Sequence, residues 1–390
     1  MLLSFEKSKK NLGDKMLAIG LMSGTSLDGV DASLVEIIND DKKTKYLEKY
    51  FIFVPYQEKV KKEILEVSNL TTSNVQKICS LNFELGYIYK DVVEKLLKAS
   101  NTKIDDIAFI AMHGQTIWHN PDQRDGYFSS TLQIGEPSIL AYAFNKLVIS
   151  NFRTMDIAAG GSGAPLVPFV NYILNKSSEQ NIALQNIGGI GNVTYIKKNA
   201  NIDDVIAFDT GPGNMLIDQA MRKLYHKEYD EDGIVALSGK INEEVLSYLM
   251  QDEYIERPLP KSTGREKYND KFLQTIFDKM KCSSSEDIIT TITAYTADTI
   301  AYAYHKFCPN VDKIILSGGG ARNKYIIKRL KEQLNVEIEV SEKSDSYEAF
   351  CFALLGYYTY MHKPSNMKCV TGSKENVILG NFTYPPREEI

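Results

Sequence analysis

Apolar positions along the chain change period in a regular order. Leu17 to Met22 and Val30 to Ile37 are nearly continuous apolar runs of strand length, with a glycine- and hydroxyl-rich turn between them. Tyr46 to Pro55 predicts a third strand. Helical spacing then takes over, with Val75, Ile78, Leu81, Leu85, Ile88, Val92 and Leu96 at three- and four-residue steps on one face. Ile107 to Met112 and Leu147 to Ser150 predict short buried strands, ending in His113-Gly114-Gln115-Thr116 and Asn151-Phe152-Arg153. Strand exits of this kind are where α/β folds place ligand groups. The pattern then restarts: strand Ile182 to Ile187, glycine turn Gly188 to Gly191, strand Asn192 to Ile196, strand Val205 to Asp209, helix Asn214 to Tyr225. A long helix follows over Asp287 to Phe307, then strand Lys313 to Leu316, and then Ser317-Gly318-Gly319-Gly320 opening another helix.

Strand, glycine turn, strand, strand, helix thus occurs twice with different residues, a repeat of topology and not of sequence. The predicted fold is α/β with mixed sheets flanked by helices. It has an N-terminal lobe over 1–152, completed by 365–390, and a C-terminal lobe over 153–364. Two such halves, each with a glycine hairpin, describe the two-lobed actin, Hsp70 and sugar-kinase (ribonuclease H-like) architecture, in which ATP lies in the cleft between lobes. A length of 390 residues, 43% of them hydrophobic, allows a core in each half.

The formal charge of −5 argues against a nucleic-acid or anionic-membrane partner, which leaves a basic footprint. Five scattered cysteines without C-x-x-C spacing indicate neither zinc nor a disulfide framework, so reduced thiols and a cytoplasmic setting are expected. No run reaches membrane-spanning length, and residues 1–16 are too polar for a signal peptide and are expected to fray.

The Ser23 to Asp31 stretch can be a hairpin turn in which Asp28 bonds its own backbone. It can equally be a phosphate grip, with backbone N–H groups and the Thr25 and Ser26 hydroxyls converging on one point. Neither a P-loop motif nor a G-x-G-x-x-G fingerprint occurs, so any nucleotide site is built another way. Gly318, Gly319 and Gly320, at a strand-to-helix junction, fit either a tight turn or the adenosine and α-phosphate end of ATP. Asp209, before Gly211-Pro212-Gly213, is either a catalytic carboxylate or the N-cap of the next helix.

Ordered blocks across the chain resemble one family, the 1,6-anhydro-N-acetylmuramic acid kinases of bacterial cell-wall recycling. They are GLMSGTSLDGVDA (20–32), HGQTIWH (113–119), LQIGEPSILA (132–141), DIAAGGSGAPLVP (156–168), NIGGIGNVT (186–194), FDTGPGN (208–214), PKSTGRE (260–266) and SGGGARN (317–323). The resemblance implies a reaction in which water opens the 1,6-anhydro bond at C1 and the freed O6 takes the γ-phosphoryl group of ATP, giving N-acetylmuramic acid 6-phosphate. It implies that Asp209 is the base that activates the water. Gly24, Thr25, Ser26, Leu27, Asp28, Gly29, Val30 and Asp31 would hold the β- and γ-phosphates. Gly188, Gly189, Gly211, Gly213, Asn214 and Gly318 to Gly320 would complete the nucleotide site. Mg²⁺ is expected, oriented by Asp28 directly or through water, unless that carboxylate only stabilises its turn. Arg153 would bind the lactyl carboxylate, His113 and Gln115 sugar hydroxyls, and Glu348 matches a family glutamate near the sugar; a homodimer follows by analogy. Lys261 to Glu266 would shape a rim or simply pack a loop. The family usually has Asp where this chain has Asn151, and Gln where it has Ser162. The alternatives are an actin-fold kinase for another sugar or a carboxylic acid, and an actin- or Hsp70-like ATPase that moves a protein partner.

Overall fold

The computed structural model describes residues 15–39, 44–121, 123, 126–341 and 346–386. Most of the polar leader therefore lies outside the described residues. The chain divides into two compact units, Met1–Val170 with Ser346–Ile390, and Asn171–Asp345.

In the first unit, β1 (Lys15–Ser23), β2 (Gly29–Ile38) and β3 (Lys45–Pro55) form an antiparallel meander in which Ile19 faces Leu34 and Met22 faces Asp31. β4 (Ile107–Asn120) runs parallel to β1. On its far side lies parallel β6 (Leu147–Ser150), and beyond that a short antiparallel strand, Asn381–Thr383. β5 (Ser130–Ile134) pairs with the second half of β4. β4 is twice as long as its apolar run suggests: His113 to Thr116 continue the strand instead of ending it. Gly114, at φ +80°, absorbs the change from β1 pairing to β5 pairing. The helix Val75–Ser100 covers this sheet with buried Leu81, Leu85, Tyr89, Val92, Val93 and Leu96. It is capped by Asn74, whose side chain accepts from Lys77 N–H, and ends at left-handed Asn101. Val75 stands exposed in its first turn, ahead of the buried face.

The second unit repeats the order. β7 (Ile182–Ile187), β8 (Ile190–Ile196) and β9 (Ile206–Pro212) are an antiparallel meander. β10 (Lys313–Ser317) runs parallel to β7, and β11 (Glu337–Val340) parallel to β10. Both sheets therefore place the third strand of the meander at one edge, then the second, the first, and two parallel strands. This is the strand order of the actin-like, ribonuclease H-like fold. The helix Ser285–Phe307, capped by Ser284 Oγ accepting from Asp287 N–H, is buried along most of its length and forms the centre of this unit's core.

The observed division falls at 170/171 and 345/346, where the sequence suggested 152/153 and 364/365. The helix Tyr347–Tyr360 has no polar face and packs on β1, β2 and β4. Gly20 in β1 and Gly356 in the helix make that approach close: a Cβ at Gly20 would lie 2.0 Å from the Ala349 carbonyl oxygen, and one at Gly356 would lie 2.6 Å from the Ala111 Cβ. Glu48 of β3 fixes the helix start by accepting from Ser346 Oγ at 2.8 Å and Ser33 Oγ at 2.7 Å. Residues 153–166 stay with the first unit through buried Asp156, whose carboxylate accepts from Gly163 N–H, Asn366 Nδ2 and Thr371 Oγ1, each at 2.8 Å. All five cysteines are free thiols. No helix among the described residues is long and apolar enough to cross a membrane.

Since the atoms in the way at Gly20 are backbone, Gly20→Ala is expected to cost about 3 kcal/mol or more. Urea unfolding with an unchanged m-value and a lowered midpoint is the result that checks it.

Candidate functional site

The turn between β1 and β2 is held from below. Leu27 N–H donates to Gly24 O, and Leu27 itself has φ +60°, a left-handed conformation that a branched residue rarely adopts. Gln115, fully buried in β4, donates its amide to Gly24 O at 3.1 Å and Thr116 O at 3.3 Å, while the Tyr56 hydroxyl approaches its carbonyl at 3.5 Å. Ser23 Oγ and the Tyr89 hydroxyl bond at 2.7 Å under the same turn. Gln115 was expected at a sugar hydroxyl; its amide hydrogens are committed to backbone carbonyls, which makes it a support for the turn.

Thr25, Ser26 and Asp28 are exposed, and the N–H groups of Thr25 and Ser26 have no protein acceptor among the described residues. Gly29, Val30 and Asp31 already belong to the β2 ladder, and Gly29 N–H donates to Asp28 Oδ1 at 3.0 Å. The part of the stretch open to a phosphate thus narrows to Gly24–Asp28. Ser26 Oγ also donates to Asp28 Oδ1 at 2.7 Å, so that oxygen stabilises the turn, and Asp28 Oδ2 is left for a cation. One exposed carboxylate oxygen suits Mg²⁺, which keeps most of its waters and takes one or two protein carboxylates beside substrate phosphates. Among the described residues no cluster of three metal-ligating side chains occurs.

His113 and Arg153 form one assembly in this unit. His113 Nδ1–H donates to Gly114 O at 2.7 Å, and Nε2 accepts from Arg153 Nε at 2.9 Å. That pair of bonds fixes the neutral Nδ1-protonated tautomer. Burial, reinforced by the Arg153 charge, holds the imidazole pKa well below its usual range. Arg153 Nη1 donates to Gly163 O at 2.9 Å. Desolvation lowers the guanidinium to about 10, opposed by Glu348, so it stays charged at neutral pH. Both protein acceptors are neutral, which leaves Nη2 and one Nη1 hydrogen for an anion.

Glu348, in the first turn of the Tyr347–Tyr360 helix, keeps access to solvent, yet the protein packed round it raises its carboxyl pKa. Arg153 opposes that rise and Asp28 adds to it. The turn, Arg153 and Glu348 are therefore electrostatic neighbours. Asn151 sits at φ +58° with its carbonyl accepting from Thr154, a backbone state that Asn tolerates well. Ser162 Oγ donates to Ala164 O at 2.6 Å and approaches Thr371 O at 3.1 Å, so it closes its own loop.

In the second unit three glycine segments meet. The Gly188 carbonyl accepts from Asn214 N–H at 2.7 Å, the Gly189 carbonyl from Gly213 N–H at 2.9 Å and Met215 N–H at 3.1 Å, and Ile187 O from Asn214 Nδ2 at 3.2 Å. A Cβ at Gly320 would lie 2.3 Å from Ile187 Cγ2 and 2.7 Å from Asn214 Oδ1. Gly211, at φ +143°, lies against Thr299, and Thr296 Oγ1 donates to Gly213 O at 2.9 Å. At the helix N-terminus expected to receive an anion, the Asn214 and Met215 N–H groups are taken by the Gly188 and Gly189 carbonyls, while those of Leu216 and Ile217 have no protein acceptor among the described residues. The N–H groups of Gly188 and Gly189 themselves likewise have no protein acceptor among the described residues.

Asp209 does not cap the following helix. Its Oδ2 accepts from Thr263 N–H at 2.9 Å, and its backbone carbonyl from the Tyr254 hydroxyl at 2.8 Å. Oδ1 has no hydrogen-bond partner among the described residues. Desolvation raises the carboxyl to about 6, with Glu266 adding, and with the Thr263 N–H and Lys261 opposing. The sequence left the 260–266 segment undecided between rim and packing, and the structure adds Thr263, Lys261 and Tyr254 as the setting of Asp209. The segment was marked only as one block of the family resemblance, and nothing in its residue types pointed to Asp209.

Among solved structures, component A of (R)-2-hydroxyglutaryl-CoA dehydratase from Acidaminococcus fermentans aligns over 87% of this chain and 96% of its own at 15% identity, with a TM-score of 0.44. Sequence similarity is far stronger. The anhydro-N-acetylmuramic acid kinase of Clostridioides difficile (strain 630) is 47% identical over 380 residues, 95% of this chain and 99% of that protein. The enzyme of the same name from Bacillus thuringiensis subsp. konkukian (strain 97-27) is 42% identical over 381 residues, 95% of this chain and 100% of its own. The family model for anhydro-N-acetylmuramic acid kinase matches residues 16–385, and the chain belongs to that family.

Proposed function

We propose that Asp209 is the base of a hydrolytic kinase reaction, in which the chain opens 1,6-anhydro-N-acetylmuramic acid and phosphorylates its O6 from ATP. Membership of the family makes the chain an ATP-dependent kinase of this amino sugar. The observation that carries the base assignment is a half-buried carboxylate with one oxygen held and the other open, and a pKa raised to about 6. Such a group is mostly ionised at neutral pH yet basic enough to take a proton from water in the transition state.

Water adds its oxygen to C1 as the C1–O6 bond breaks with inversion, and Asp209 Oδ1 receives one of its protons. O6 carries its electron pair to the γ-phosphorus, the bond to the β-phosphate oxygen breaks, and ADP leaves. The proton on Asp209 passes to solvent, so the balance is sugar, water and ATP to 6-phosphate, ADP and a proton. No separate acid is needed for O6, because phosphorus captures it. The open N–H groups of Thr25, Ser26, Gly188 and Gly189 bind phosphate oxygens without a lysine. Gly318 to Gly320, where a Cβ at Gly318 or Gly320 would run into the Asn186–Ile187 segment, take the adenosine end. Asp28 Oδ2 would hold Mg²⁺, which supplies charge neutralisation on the transferring phosphoryl group. Arg153 binds the lactyl carboxylate. Its His113 partner is locked neutral, so it orients the guanidinium and adds no competing charge, and Glu348 accepts from a sugar hydroxyl. The setting is the cytoplasm and the assembly a homodimer.

Asp209→Asn is expected to lower kcat by about 10³-fold, and turnover in ¹⁸O-water should place label at C1 of the 6-phosphate; wild-type turnover by Asp209→Asn refutes the base assignment. In the wild type, kcat/KM should fall as pH drops through about 6, because the protonated base cannot act. The same shift bears on stability. The folded carboxyl binds its proton more tightly than the unfolded one, so stability is present below the unfolded pKa and is lost as pH rises from about 4 through about 6. Asp209→Asn should therefore be more stable than wild type at pH 8, by about 3 kcal/mol, and unfold at higher temperature, with the difference vanishing near pH 4. Arg153→Ala should raise the sugar KM by about 10- to 100-fold through loss of a charge-assisted bond, with the ATP KM unmoved in initial-rate assays.

A further inference from the structure

Lys261 is an unusual buried cation. It is 5% exposed, and its ammonium donates to Ile255 O at 3.0 Å and Tyr254 O at 3.3 Å. The charge faces the rings of Phe307 at 4.7 Å, Tyr254 at 4.9 Å and Phe208 at 5.6 Å. No carboxylate lies within ion-pair distance among the described residues. A lysine that served only to fill space would be replaced at no loss by an apolar side chain, since burying an ammonium is expensive.

What this cation joins is specific. Phe208, under its charge, precedes Asp209. Tyr254, whose carbonyl it binds, donates its hydroxyl to the Asp209 carbonyl at 2.8 Å. The Lys261 carbonyl itself faces Asp209 N–H at 3.4 Å, and Thr263, two residues on, gives its N–H to Asp209 Oδ2 at 2.9 Å. The middle of β9, the short helix Glu253–Glu256 and the 261–263 loop are thus tied together around one side chain.

We propose that Lys261 is a positioning residue for Asp209, whose buried ammonium locks the 261–263 loop and Tyr254 against the middle of β9 and keeps a positive charge near the carboxylate. The proposal rests on the assignment of Asp209 as base. The groups facing Asp209 are Lys261 and Glu266 from this loop, with the Thr263 N–H, and Tyr254 from the neighbouring turn. Those facing Lys261 are Lys306, Glu256, Asp252 and Asp209. Desolvation lowers the Lys261 ammonium to about 8, with Lys306 adding, so it is charged through the range in which Asp209 ionises.

Lys261→Met keeps the stem and removes the charge and both carbonyl bonds. The expected result is a kcat lowered about tenfold with an unchanged ATP KM, and an acid limb of the pH profile moved up by about half a unit. The melting-temperature difference between Lys261→Met and Lys261→Met/Asp209→Asn, followed against pH, should show the same upward displacement without any assay of activity. Tyr254→Phe removes one hydroxyl from the same network and leaves the ammonium in place; it should lower kcat several-fold with the acid limb at its wild-type position. A folded Lys261→Met with wild-type kcat and acid limb overturns the proposal. If Lys261→Met does not fold, wild-type kcat in Tyr254→Phe overturns it. Failure of the base assignment reads differently: Asp209→Asn then keeps its turnover, whatever the Lys261 variants do.

Discussion

The first unit depends on one close approach, the helix Tyr347–Tyr360 laid on β1 at Gly20. With 2.0 Å between a hypothetical Cβ and a carbonyl oxygen, only glycine allows it, and Gly356 repeats the condition from the helix side. This packing draws a segment more than three hundred residues later in sequence onto the N-terminal sheet. It also explains why the helix is apolar on every side: it is covered on its other faces by the same unit, with Phe352 against His113 and Phe152 at ring distances of 4.7 Å and 5.4 Å. Glu348, at its first turn, is thereby delivered into the field of Arg153 and Asp28. A glycine in a strand interior is usually a weakness; here it sets where a charged group lands.

The second unit solves a different problem with the same residue type. Its glycines let three segments approach until their backbones bond, and the consequence is that Asn214 and Met215, at the start of the helix, spend their N–H groups on Gly188 and Gly189 carbonyls. The Gly188–Gly189 turn keeps its own donors open. Hydrogen-bond bookkeeping along the backbone, and not the helix dipole, decides which groups can meet a phosphate.

The sequence made the strand meanders, the topological repeat and the two glycine hairpins legible, because each rests on local periodicity. β5 and β11 were not, since Ser130–Ile134 and Glu337–Val340 are short, polar and defined by their partners. The length of β4 escaped for a related reason: His113, Gln115 and Thr116 look like an exit, yet their polar atoms are satisfied inside the sheet. Arg153, Asp28 and Asp209 were readable as polar groups beside turns or strand ends. That Gln115 supports a turn, or that Lys261 sits in an aromatic box, could not be read, because both depend on neighbours 91 and 46 residues away. Of the two departures, Asn151 falls at a left-handed backbone position that Asn tolerates, and Ser162 spends its hydroxyl on backbone carbonyls.

Arg153 in the first unit and Lys261 and Asp209 in the second follow one rule, that each charge is held by neutral partners. Arg153 donates to an imidazole and a carbonyl, Lys261 to two carbonyls, and Asp209 accepts from a backbone N–H. An ion pair would have quenched each charge and fixed it at the cost of its availability. Neutral partners fix the geometry and leave the charge to act, and the penalty appears as a shifted pKa: Arg153 down to about 10, Lys261 down to about 8, Asp209 up to about 6. None of these shifts crosses neutrality, so at pH 7 all three groups keep their charge. Lys261 and Asp209 lie about equally far from neutral pH, but of the three groups only Asp209 is unprotonated there and carries an open oxygen, which is what a base for water requires.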